Sequence, residues 1–277
     1  MVGLVTPALH EPVRWLLRNM IKVWYRLLDI WRRRKALQNL PVGLGMFMSG
    51  LGSCGTPEAV SRRIIDNGIT WVAILGPWQY RGKPAVTWNS SSKIPAYIKA
   101  IKATGCQVFV WGWPVAGKEF TFVRHLMTYA KAWGAVGVIA DAEKPYNRAS
   151  TRAALLMDTL TTSCRQRGLL CGFTSYGPIW NHPRFPWSAF KSADFAIPQI
   201  YDSKNKLPED YPTRAMAAWE ELSSSWPIYP AFATYGKTPK QIQSLIERTP
   251  CPGQTRIGWQ WRTTKDSEWK AIKESTS

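Results

Sequence analysis

From Pro41 onward this chain alternates short apolar segments with longer helix-like ones, and that alternation constrains the fold more than any other feature. The apolar segments fall at 43–48, 71–75, 108–111, 136–141, 170–175, 195–201, 228–232 and 256–261. Each is short for a helix, and most are apolar on both faces, the pattern of strands buried in a parallel sheet. Helical patterns separate them near 57–67, 94–104, 119–132, 150–166, 213–223 and 238–248, with a short turn near 187–191 and a final helix over 265–273. Thr56-Pro57 and Thr238-Pro239 each put a hydroxyl cap before a proline at the first helical position. Eight buried strands with helical crossovers predict an α/β chain closed into a (β/α)8 TIM barrel rather than an open sheet. A length of 277 residues suits one such barrel, and no internal repeat or long low-complexity linker divides it.

Residues 1–40 stand apart as a basic helical extension, leaving 41–277 for the barrel. Over 12–35 an amphipathic helix is expected, with Leu16, Leu17, Met20, Trp24, Leu27, Leu28 and Trp31 on one side and Arg14, Arg18, Lys22 and Arg26 largely opposite. Three roles suit it: packing against the barrel or docking another protein, lying on a membrane surface, or touching phosphates through Arg32-Arg33-Arg34-Lys35. The first is the commonest fate of such a stripe. Those basic residues interrupt the only early apolar stretch, so neither a cleavable signal peptide nor a transmembrane span is expected.

The extension accounts for only part of the charge. Residues 1–40 carry +6 of a formal net charge of +18, so +12 is spread over the remainder. Such a field favours anionic partners without specifying chemistry. Specific nucleic-acid binding is not expected, because no recognition motif accompanies the charge. Five cysteines, Cys54, Cys106, Cys164, Cys171 and Cys251, include no CxxC pair, and the histidines, His10, His125 and His182, are widely spaced. No metal site, cofactor or His-based nucleophile is signalled. The Gly-rich stretch 49–55 lacks the GxxxxGK[ST] pattern and reads as a barrel loop rather than a phosphate cradle.

Within this frame the fourth strand ends Gly137-Val138-Ile139-Ala140-Asp141-Ala142-Glu143. Alternate side chains of a strand share a face, so Asp141 and Glu143 point into one cleft if the extended backbone persists. Two close carboxylates in reduced solvent push one pKa up, which suits glycoside hydrolysis. Alternatively Asp141 caps the following loop and Glu143 pairs with a neighbouring cation. Barrel chemistry collects at the carboxyl ends of strands, where Gly76-Pro77-Trp78-Gln79-Tyr80, Trp111, Trp113, Trp259 and Trp261 gather aromatic rings on which sugars stack. These rings equally suit the barrel core. Tyr176, Gln199 and Tyr201 supply hydrogen-bonding tips, whereas Asp202 falls on the other face of its strand.

Taken together, GVIADAE at 137–143, GFTSYGPIWNHPRFPWSAF at 172–190, FAIPQIY at 195–201 and IGWQW at 257–261 resemble the glycoside hydrolase-like barrels related to family 25 lysozymes, including DUF1906-type domains. The resemblance spans residues 42–263 and implies a cleft for peptidoglycan or another cell-wall glycan. It implies Glu143 as proton donor and Asp141 as assisting carboxylate, with Trp111, Tyr176, Gln199, Tyr201, Trp259 and Trp261 binding the sugar. It further implies a phage lysin, virion or cell-envelope setting. Family 25 lysozymes carry another acid near the end of the first strand, where 43–49 here has none, and the stretch Ala233-Thr234-Tyr235 is also acid-free. A non-catalytic glycan-binding or structural virion protein is therefore the rival expectation.

Overall fold

The computed structural model describes residues 11–76, 79–80, 83–84, 92–201, 208–222 and 226–276. Pro77, Trp78 and Asp202, named above, lie outside the described residues, as do the side chains of Gln79 and Tyr80. Among the described residues there are ten strands: β1 (Leu44–Met48), β2 (Ile69–Leu75), β3 (Gln79–Tyr80), β4 (Lys83–Pro84), β5 (Gln107–Gly112), β6 (Gly137–Asp141), β7 (Leu170–Tyr176), β8 (Phe195–Ile200), β9 (Ala231–Ala233) and β10 (Arg256–Trp259). β3 and β4 form a small antiparallel hairpin, and the other eight close a parallel barrel in the order β1-β2-β5-β6-β7-β8-β9-β10. The expected TIM barrel is the observed fold.

The α-helices among the described residues are α1 (Glu11–Leu37), α2 (Pro57–Asp66), α3 (Ile94–Ala103), α4 (Glu119–Trp133), α5 (Ser150–Arg167), α6 (Tyr211–Leu222), α7 (Pro239–Arg248) and α8 (Asp266–Thr276). Their ends follow from local chemistry. The Thr56 hydroxyl accepts from Ala59 N at 3.2 Å. Thr238 accepts from Gln241 N at 3.3 Å while the Gln241 side chain accepts from Thr238 N at 2.8 Å, a reciprocal capping box.

Two apolar layers hold the structure. Residues such as Val72, Ile74, Val110, Val138 and Phe173 pack outward beneath the helices. Phe47, Trp71, Phe109, Trp111, Ile139, Phe195, Ile197 and Ile257 fill the barrel interior. Large rings fit there because glycine faces them: a Cβ on Gly45 would strike the Trp71 indole, and one on Gly172 the Phe195 ring. Small opposite large is how a narrow barrel reaches native packing density.

Two strands are shorter than the sequence suggests. Ile228 makes only an isolated bridge to Ala196, and the ladder proper begins at Ala231, just after Pro230, which has no N–H to donate. β10 stops at Trp259, where Thr264 Oγ1 donates to the Gln260 carbonyl at 2.8 Å and the chain turns into a 3-10 helix over Trp261–Thr263.

The N-terminal mouth of the barrel is covered by the end of α1 and the turn after it. Ala36 and Leu40 join the interior cluster, and Gln107 Nε2, at the start of β5, donates to Asn39 O at 3.3 Å. Arg33 pairs with Asp194, one residue before β8, and the other Asp194 oxygen accepts from Cys171 N at 2.8 Å. The apolar stripe of α1 does not pack against the barrel, contrary to its commonest fate: Leu16, Met20, Trp24, Leu27 and Trp31 are all exposed.

Candidate active site

At the opposite, C-terminal mouth the inward rows of several strands meet. Asp141 is the last residue of β6 and is buried. Glu143 follows with φ −135° and ψ −139°, an extended conformation that carries the strand's alternation past its end. Both carboxylates therefore enter the same cleft. From β8 the inward row Phe195, Ile197, Gln199 ends with the amide of Gln199, whose Nε2 donates to Asp141 Oδ1 at 2.9 Å and to Glu143 Oε1 at 3.0 Å. Thr174 Oγ1 lies 3.4 Å from the same nitrogen and donates to Ile197 O at 2.8 Å, tying β7 to β8 beneath it.

Asp141, Glu143, Thr174 and Gln199 line a cavity of about 220 Å³, with Tyr201, Trp113, Trp259 and Phe47 forming its walls. The Trp113 indole hydrogen-bonds to Asp141. Tyr201 lies roughly parallel to Trp259, with ring centroids 6.5 Å apart and an angle of 26°. Trp259 is followed by a polar clamp in which Ser49 Oγ donates to the Gln260 side chain and Thr234 Oγ1 donates to the Gln260 carbonyl at 3.3 Å.

Burial pushes the Asp141 carboxyl well above the ordinary carboxylate range, and the negative charge of Glu143 adds to the rise. Both carboxylates share Gln199 Nε2 as a donor. Tyr201 is raised by burial first and then by Asp141, and the Tyr176 phenol is pushed up to about 12 by burial and by both carboxylates. Both phenols stay protonated at neutral pH and remain able to donate.

The residues singled out from sequence divide into two groups. Asp141, Glu143, Gln199, Tyr201 and Trp259 line the cavity. Tyr176 stands beside it, stacked on His182 with centroids 3.5 Å apart. Trp111 and Trp261 are not available to a sugar. Trp111 is fully buried under the cleft, edge-on to Phe47, Trp113 and Trp259 at 5.3, 4.7 and 5.1 Å. Trp261 is displaced by the 3-10 turn and packs against Trp269 at 5.0 Å. Trp113, placed above among the stacking rings, lines the cavity too, as do Thr174 and Phe47, which were not singled out from sequence. Trp113 continues the parity of Trp111, Thr174 that of Gly172, and Phe47 that of Gly45, so alternation alone could have found them.

The carboxylate geometry narrows the chemistry. Enzymes with a carboxylate nucleophile hold their two acids about 5–5.5 Å apart across the sugar, and inverting enzymes about 6.5–9.5 Å apart. Asp141 and Glu143 instead stand side by side after one strand, both accepting from Gln199 Nε2 at 2.9 and 3.0 Å. Among the described residues lining the cavity there is no other acid, and the first-strand position facing the pair is filled by the buried Phe47.

No family model matches the sequence, and no curated protein matches it. Solved structures of the same fold are found. A class V chitinase from Pseudomonas fluorescens Pf-5 aligns over 86% of this chain and 100% of its own, with 11% identity and a TM-score of 0.63. A GH18 chitinase from the chitin utilization locus of Flavobacterium johnsoniae aligns over 85% and 94%, with 10% identity and a TM-score of 0.55. A xylanase and amylase inhibitor protein aligns over 85% and 96%, with 11% identity and a TM-score of 0.56. The fold is thus a (β/α)8 barrel of the kind seen in these chitinases and in that inhibitor protein. That corrects the expected kinship with family 25 lysozymes and DUF1906-type domains, and the lysozyme, peptidoglycan, cell-wall and phage expectations fall with it.

Proposed function

We propose that the barrel hydrolyses a chitin-type glycan of β-linked N-acetylglucosamine, using the substrate's own acetamido group in place of an enzyme nucleophile. The carrying observation is that Asp141 and Glu143, two residues apart, share the donor Gln199 Nε2, with no carboxylate across the cavity among the described residues. A pair on one side can deliver a proton and hold a neighbouring group but cannot flank the scissile bond. Substrate-assisted hydrolysis is the glycosidase route that needs no second flanking acid.

In this reading the pair's proton is the catalytic one. Glu143 is the more accessible of the two and protonates the leaving oxygen. The acetamido N–H takes the place of that proton against Asp141, and the acetamido oxygen attacks the anomeric carbon as the glycosidic bond breaks. Water then opens the resulting cyclic intermediate, with Glu143 accepting its proton, and the anomeric configuration is retained. Tyr201 donates to the acetamido oxygen, while Trp113 and Trp259 flank the ring. Chitinases that share the fold support this substrate class.

A second reading, glycan binding without hydrolysis, is favoured by Ile139. This next inward residue below Asp141 is fully buried and apolar, so no further acid backs the pair. One experiment separates the two: incubation with chitin hexasaccharide, products identified by mass, and binding measured by calorimetry. Hydrolysis is expected, with turnover falling about 10²- to 10⁴-fold in Glu143→Gln while binding persists. Binding without products supports the second reading, and unchanged turnover in Glu143→Gln removes the acid assignment.

A further inference from the structure

Among the described residues, most exposed large apolar side chains lie far from the cleft, on α1. Leu16, Met20, Val23, Trp24, Leu27 and Trp31 recur every three or four residues along one side, and each is more than half exposed. Monomeric proteins rarely leave so continuous a stripe uncovered unless something binds it. The direction of the stripe is set by how α1 docks. Its contacts with the barrel run through Ala36, which is 2% exposed, and through Arg33 on Asp194. At 3.6 residues per turn, Arg18, Lys22 and Arg26 fall within about 80° of Ala36 around the helix, on the docked side, whereas Leu16, Met20 and Leu27 fall nearly opposite. The apolar side therefore faces away from the barrel.

We infer that α1 is an in-plane anchor for an anionic lipid bilayer. Its polar side carries Arg18, Lys22 and Arg26, its last turn adds Arg34 and Lys35, and Asp29 is the one acid between Val13 and Leu37. Basic residues flanking an apolar face are the composition of interfacial helices, whose apolar side sinks about 5–10 Å into the headgroup boundary. Tryptophans such as Trp24 and Trp31 favour that same depth. The stripe from Leu16 to Trp31 is roughly 24 Å long at the helical rise, and among the described residues no helix is long and apolar enough to cross a membrane. A second copy of the chain fits less well, because each carries a formal net charge of +18 and like fields repel. An anionic surface instead attracts both the helix and the body. Because α1 leaves from the N-terminal mouth, the cleft at the C-terminal mouth stays open to a glycan in the bound state.

The test is co-sedimentation of the full chain with phosphatidylcholine vesicles containing about 30% phosphatidylglycerol, against pure phosphatidylcholine, at about 0.1 M salt. Binding is expected only to the anionic vesicles. Met20→Gln, Trp24→Gln and Leu27→Gln combined leave the charge unchanged and lower partition at least ~10-fold, with the barrel's melting temperature unaltered. Arg18→Gln, Lys22→Gln and Arg26→Gln combined weaken binding as well. Absence of binding by the unmodified protein overturns the inference. So does undiminished binding of the apolar variant, which would assign the attraction to surface charge alone. A dimer that dissociates in the apolar variant, without vesicle binding, assigns the stripe to a protein interface instead.

Discussion

Asp141 sits at the rim of an apolar barrel, where its ionised form loses solvation that the unfolded chain retains. Burial and the charge of Glu143 raise its folded-state pKa above the unfolded value. Between those two values the native protein binds more protons than the unfolded chain. Stability from this group is thus fully present below about pH 4, the ordinary aspartate range, and is lost as pH rises through the folded pKa. Asp141→Asn removes that loss while keeping the hydrogen bonds, since its carbonyl can accept from Gln199 and its amide can donate to Glu143. The variant should match the unmodified protein near pH 4 and melt higher at pH 7, by roughly 2–4 °C for each kcal/mol of relieved desolvation. Calorimetric melts across that range check it; a variant that melts lower at pH 7 contradicts the assigned shift. Turnover on chitin hexasaccharide should fall in the same variant, the usual exchange of stability against activity. The pairing of the acids was legible in sequence from their spacing. Their shared donor was not, because Gln199 lies 58 residues away from Asp141.

At the scale of the element, alternation identified the eight barrel strands but not where each one stops. An apolar window reads alike whether its last residues continue the ladder or turn away. Trp259 and Trp261 have the same parity in sequence, yet the carbonyl of Gln260 is engaged by Thr234 and Thr264, the chain turns, and only Trp259 reaches the cleft. Hydroxyl contacts of this kind carry no periodic signal. The glycines inside the strands carry one that is easily misread as weakness, since Gly usually destabilises a strand. At Gly45 the missing side chain is occupied space: the indole of Trp71, itself fully buried, lies where a Cβ would go. Gly45→Ala should therefore destabilise by about 1–3 kcal/mol, the usual range for overpacking a core. Urea denaturation measures this directly, and a loss below ~0.5 kcal/mol, ordinary for a surface substitution, would mean that the barrel interior yields more than its packing implies.

Over the whole molecule, the closed barrel was legible because eight short apolar segments with intervening helices admit few other arrangements. The seating of α1 was not, because an amphipathic pattern gives two faces and does not say which one meets the body. The deciding contact is a charge pair. Asp194 is fully buried at its side chain, while Arg33 reaches it from outside and remains 31% exposed. Removing the cation leaves a buried carboxylate with Cys171 N as its remaining polar contact. Breaking a fully buried pair costs about 3–5 kcal/mol. The exposure of Arg33 screens this one, so Arg33→Met is expected to cost about 1–2 kcal/mol. Asp194→Asn added to Arg33→Met should recover part of that loss, because a neutral amide oxygen still accepts from Cys171 N without an unpaired charge. A double-mutant cycle by urea denaturation isolates the coupling. Hydrogen exchange along α1 in Arg33→Met then reads the second consequence: if this pair seats the helix on the barrel, protection should fall around Ala36 and leave the barrel strands unchanged.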